Sequence, residues 1–185
     1  MVKRSEGNKK SILWQINVIL WFDERGIKIT FMRIIKMILL VLLIVFIGIQ
    51  FIRPVRNESE QVLSADITKT FNVPDSVLNV LKISCYDCHS NNTNYPFYVN
   101  IEPVGWMLNN HIKNGKEKLN FSDFGAYSRR RQISKLRSII SQIQDDKMPL
   151  SSYTTIHKDA VLTTEDKTLI IDWSNKTKDS LSLLN

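Results

Sequence analysis

Cys85 and Cys88 are the only cysteines in a chain of 185 residues, and His89 follows the second directly. A pair of thiols with two residues between them, succeeded at once by an imidazole, has a specific chemical use. The sulfurs are spaced to add across the two vinyl groups of a porphyrin, and the next residue then lies beneath the ring. There its imidazole can take the proximal position on iron. C-x-x-C-H is the attachment sequence for haem c. Cys85 and Cys88 are therefore the expected thioether positions, His89 the expected axial ligand, and one covalent haem c the expected cofactor.

Three other uses of the same residues fit less well. A thioredoxin-like redox pair also uses C-x-x-C, but it needs a βαβ setting and an activated thiolate at a helix start. Zinc needs four good ligands, and His111 and His157 do not form a second ligand pair. A disulfide framework is excluded, because two cysteines this close constrain very little of the chain.

A second axial ligand is expected fifty-nine residues further on, at Met148 in Lys147-Met148-Pro149. A thioether is soft and uncharged and favours ferrous iron. Pro149 stiffens the loop that presents it. Met107 and His111 share a helix face at i, i+4 and are the other candidates for this distal position. Nothing in the flanks of His157 directs it to the same site. No residue stands out as catalytic.

These residues have to be positioned by helices, since no strand-period run of useful length occurs. Asn57 to Phe71 is polar and reads as a tether. Pro74 opens a first helix, with Val77, Leu78 and Leu81 on one face, leading into Cys85. Residues 90–100 read as an irregular loop. A second helix is expected over Glu102–Asn114, with Val104, Leu108 and Ile112 in register and Gly115 as its stop. Ser128 can cap a third, carrying Ile133, Leu136, Ile140 and Ile143 and ending before Pro149. The last starts at Thr163-Thr164-Glu165-Asp166, with Leu169, Ile170 and Trp173 facing inward. The expected fold is all-α: one helical domain with long loops, whose small core leaves apolar volume for a prosthetic group.

Ahead of that domain, Met37–Ile49 is thirteen residues without a polar side chain. With its flanks, residues 34–52 supply about the twenty residues that a bilayer of roughly 30 Å needs in a helix. Residues 1–56 hold ten Lys/Arg against three Asp/Glu, and residues 57–185 hold fifteen of each, so the whole excess of +7 sits around the apolar stretch. That distribution excludes a nucleic-acid binder, which would carry its basic face on the folded domain. By the positive-inside rule it keeps the N-terminus in the cytoplasm and sends residues 57–185 across the inner membrane, into the periplasm. No A-x-A pair follows the apolar run, so it reads as an uncleaved signal anchor. Upstream, Ser11–Phe22 is apolar but too short to span. Two readings stand there, an interfacial helix on the inner leaflet or a chain that truly starts at Met32. The expected organisation is a cytoplasmic segment 1–31, an anchor 32–53, a linker 54–73 and a haem domain 74–185.

The chain resembles the haem-binding domain family of small, membrane-anchored bacterial c-type cytochromes. The resemblance runs from the anchor's end, FIRPVRN, through CYDCHSNNTNYPFYVNIEPVGWMLNNHI to KMPLSSYTTIHKDAVLTTEDKTLIIDW, and covers most of residues 37–175. Residues 1–31 depart from it. It implies a fold related to monohaem cytochrome c, with first and last helices packed together, His89 proximal and Met148 distal. The expected function is one-electron transfer to redox partner proteins in or near the membrane. A haem peroxidase-like enzyme with a labile distal ligand, or a haem- or redox-dependent sensor module, is the alternative.

Overall fold

The computed structural model describes residues 30–59 and 61–183. The expectations for Ser11–Phe22 and the rest of residues 1–29 lie outside them. The chain divides into two compact units, Met1–Ile52 and Arg53–Asn185. The described part of the first is a single helix, α1 (Thr30–Ile49), twenty residues long with a mean hydropathy of 2.7 and none of it buried. By length and composition α1 can cross a membrane.

Among the described residues there is no strand, and the second unit is built from seven further α-helices. These are α2 (Ile67–Thr70), α3 (Asp75–Ser84), α4 (Tyr86–His89), α5 (Val104–Lys118), α6 (Arg129–Gln144), α7 (Ser151–Ile156) and α8 (Thr164–Leu183). The all-α expectation is met. α8 begins as the sequence suggests: Thr163 Oγ1 accepts from the Asp166 N–H at 3.1 Å, and the Asp166 carboxylate accepts from the Thr163 N–H at 3.0 Å. This reciprocal pairing satisfies two backbone donors that a helix start leaves open. Ser128 occupies the N-cap position of α6 but makes no capping bond through its side chain.

The core lies where α3, α6 and α8 meet, and the 3₁₀ segment Phe121–Ala126 closes it. Leu81, Leu136, Ile170 and Phe124 are completely buried, with Val77, Ile143 and Phe121 nearly so. α3 and α8 pack together, and the Trp173 indole N–H donates to the Asn72 carbonyl, just ahead of α3, at 3.1 Å.

Four details differ from the sequence reading. Residues 57–71 are not a loose tether. Asn57 donates from its side-chain amide to Ser90 O and Thr93 Oγ1, both at 2.9 Å, and Ile67 on α2 is fully buried. Asp66 caps α2 through its carboxylate, which explains how a polar stretch supports a helix here. Next, α5 runs through Gly115 to Lys118 rather than stopping at Asn114, because that glycine serves a close approach instead of a C-cap. On α6 and α8 the expected Leu136, Ile143, Ile170 and Trp173 are in the core, but two expected positions are not. Ile139 rather than Ile140 is in the core, and Leu169 is 39% exposed. Finally, α7 and the 3₁₀ turn Phe97–Asn100 interrupt segments that read as loop.

Candidate haem site

Cys85 is the C-cap of α3 and the N-cap of α4, so the C-x-x-C-H sequence is one tight helical turn. The His89 N–H closes that turn on the Cys85 carbonyl at 3.0 Å. The turn sets both sulfurs and the imidazole along one wall of a cleft. α5 packs against it at unusually short range. A Cβ added at Gly115 would lie 2.5 Å from the Cys88 carbonyl oxygen and 3.3 Å from the Cys88 Cβ. Only a residue without a side chain allows that approach.

The approach has a chemical result. His89 Nδ1 lies 3.0 Å from both the Gly115 and the Leu119 carbonyl oxygens at the end of α5, the first of which also accepts the Leu119 N–H at 2.9 Å. Carbonyls only accept, so Nδ1 carries the proton and donates to both. Nε2 is left as an unprotonated lone pair. Burial holds the His89 pKa below its ordinary value, the nearby Lys118 adds to that, and the two carbonyls act in the opposite direction. The imidazole is therefore neutral at neutral pH. Its ring meets Phe121 in a T-shaped arrangement, with centroids 6.3 Å apart.

The thiols are protonated as well. Burial, with Cys88 alongside, pushes Cys85 up to about 12, and burial with Asp87 alongside pushes Cys88 up to about 11. An activated thiolate of a dithiol oxidoreductase needs the opposite shift. Neither the absence of a strand among the described residues nor these thiols suits a thioredoxin-like pair.

Two adjoining cavities make up the cleft, of about 230 Å³ and about 330 Å³, and Cys85, His89, Lys118 and Met148 line both. The smaller also meets Cys88, His111 and Tyr153. The larger is walled by Leu81, Phe121, Ile139 and Ile143 from the core. Together they reach the size range of a cofactor pocket and are largely apolar, as such pockets are. All four residues singled out in the sequence, Cys85, Cys88, His89 and Met148, thus share one cleft. His111 joins them from α5. Met107 is 61% exposed and does not line the cleft. His157 is engaged elsewhere: its Nε2 shares a 2.8 Å hydrogen bond with the Tyr98 hydroxyl, and its ring stacks on Tyr153 at 4.3 Å.

Sequence reasoning missed several contributors. The carbonyls of Gly115 and Leu119 are backbone groups and leave no mark in the sequence. Asp87 and Tyr153 are joined by a 2.6 Å hydrogen bond. Burial and that bond both raise the Tyr153 pKa, so the phenol keeps its proton and donates to the carboxylate.

Two thiols, one imidazole lone pair and one thioether around an apolar cleft make a donor set that fits haem. Among the described residues, no cluster of three or more His, Cys, Asp or Glu side chains offers a bare metal site. No curated protein and no solved structure matches the chain. The haem-binding domain family matches residues 44–176, from the end of α1 through most of α8. The chain belongs to the haem-binding domain family.

Proposed function

We propose that the protein is a membrane-anchored, periplasmic monohaem c-type cytochrome that passes single electrons and does not catalyse a substrate reaction. In this reading Cys85 and Cys88 hold one haem c through thioethers, His89 is the proximal ligand and Met148 the distal ligand. The observation that carries it is the state of His89. Two backbone carbonyls fix its Nδ1–H and leave Nε2 free on the wall shared with both cysteines.

When bound, haem supplies a one-electron couple. The rest is the work of the chain. The Gly115 and Leu119 carbonyls orient the imidazole and increase its basicity, as outer-shell acceptors do for metal-bound histidines. The Met148 thioether favours the reduced state. Leu81, Phe121, Ile139 and Ile143 exclude water from the cleft and lower its dielectric constant. His111 lines the same cleft and is the second candidate for the distal position.

α1 supports a single-pass anchor in the bacterial cytoplasmic membrane, with lipid around residues 34–52. The basic residues ahead of it support an inside N-terminus and an outside haem domain. Confinement to the membrane plane suits exchange with redox proteins in or beside it. The deciding experiment is a pyridine haemochrome spectrum with intact-mass measurement on the exported, matured protein. One haem mass and no free thiol are expected. A colourless protein with two thiols or a cystine, made in a cell competent for maturation, would overturn the reading.

A further inference from the structure

We propose that Asp87 and Tyr153 are positioning residues that form a latch, their hydrogen bond holding the Met148 loop closed over the cleft. The inference deepens the reading above and rests on it. Asp87 is one of the two residues between the cysteines, and Tyr153 lies five residues beyond Met148.

The loop that carries Met148 is well fixed on its N-terminal side. The Lys147 and Met148 N–H groups donate to the Gln142 carbonyl at 2.9 and 3.3 Å, and Lys167 pairs with Asp146. Beyond Met148 the chain enters α7, which buries none of its six residues. Core burial anchors the chain only beyond α7, at Ala160. Two side-chain contacts tie α7 itself. The Tyr153 hydroxyl donates to Asp87 Oδ2 at 2.6 Å, and His157 is tied to the Tyr98 hydroxyl at 2.8 Å.

Of these, only the first reaches the C-x-x-C-H turn. Among the described residues no other hydrogen bond joins residues 85–89 to residues 145–160. Asp87 is itself held, since its Oδ1 accepts from the Asn94 N–H at 2.9 Å and its backbone carbonyl accepts from the Thr93 hydroxyl at 2.7 Å. The Tyr153 ring is braced by its stack on His157. A braced donor meeting a fixed, charged acceptor makes a short, strong hydrogen bond. It spans from the turn carrying the proximal imidazole to the loop carrying the thioether. Breaking it leaves α7 with the His157–Tyr98 tie as its side-chain contact and loosens the segment beyond Met148, so that the thioether leaves the cleft more often.

The test uses ferric, haem-loaded, full-length protein in detergent, with exogenous imidazole as the probe. Imidazole can bind iron only when Met148 has moved away, so its capture rate reports loop opening. Tyr153→Phe, which keeps the stack on His157, is expected to speed capture about ten- to hundredfold, the worth of one hydrogen bond to a charged group. It should also weaken the far-red ferric absorption of the thioether–iron bond, with an unchanged far-ultraviolet helix signal. Asp87→Asn should act in the same direction and add little in the Tyr153→Phe background. If Asp87→Asn fails to mature, Tyr153→Phe alone decides. Unchanged capture and absorption in Tyr153→Phe overturn the latch, as do fully additive effects of the pair. Met148→Ala separates this from failure of the underlying reading. If the parent protein lacks the far-red band and Met148→Ala leaves capture unchanged, Met148 is no ligand and both ideas fall.

Discussion

A methyl group at position 115 is the smallest change expected to disturb the site. Its carbon would press on the Cys88 backbone carbonyl at 2.5 Å, and a backbone cannot swing aside as a flexible side chain can. Gly115→Ala gains helix propensity worth about 0.5–1 kcal/mol but incurs overpacking worth about 1–3 kcal/mol. A net loss is expected, seen as a lower urea midpoint at constant m-value. The ring of His89 should also lose its alignment, because the retreating helix takes both acceptor carbonyls with it. His89→Ala should remove the stable low-spin spectrum even where both thioethers form. Met148→Ala should lower the reduction potential, read by redox titration. At this scale the sequence was most legible where chemistry demands adjacent residues, as at Cys85, Cys88 and His89. It was least legible at Gly115. A glycine near a helix end reads equally as a stop or as a close contact, and only the neighbouring turn decides between them.

Helix positions one residue apart have different fates along α6 and α8. Leu169 is 39% exposed whereas Ile170 is completely buried. Ile170→Ala should therefore cost about 2–5 kcal/mol, and Leu169→Ser should stay within about 0.5 kcal/mol. Chemical denaturation of the two variants checks this directly. The helical period was readable from the spacing of apolar residues, so α3, α6 and α8 were all foreseen. Their buried faces were mostly readable too, at Val77, Leu81, Leu136, Ile143, Ile170 and Trp173; the edges of those faces were not, because Ile139-Ile140 and Leu169-Ile170 are pairs of similar side chains and periodicity cannot choose within a pair. The short elements were hidden for a different reason. α2 and α7 span four and six residues, too few for a period to show. They are held by Asp66 in one case and by Tyr153 and His157 in the other, contacts made with parts of the chain that are distant or non-helical.

For the molecule as a whole, charge and hydropathy carried the reading of residues 32–53 as an anchor, and the family match covers residues 44–176. If α1 is an anchor, the protein should stay with membranes through alkaline carbonate washing, and deletion of residues 30–49 should release it; detection by immunoblot is enough. One long-range contact has a temporal consequence. The Trp173 N–H bonds to the carbonyl of Asn72, 101 residues earlier in the chain. The same stretch of α8 contributes Ile170 to the core beside Leu81. A domain delivered in chain order cannot complete that core until α8 has emerged. During that interval the Cys85–His89 turn has neither its finished cleft nor its full packing. If haem is attached covalently at this turn, both sulfurs are more accessible before α8 packs than after it, and the docking of α8 narrows that access.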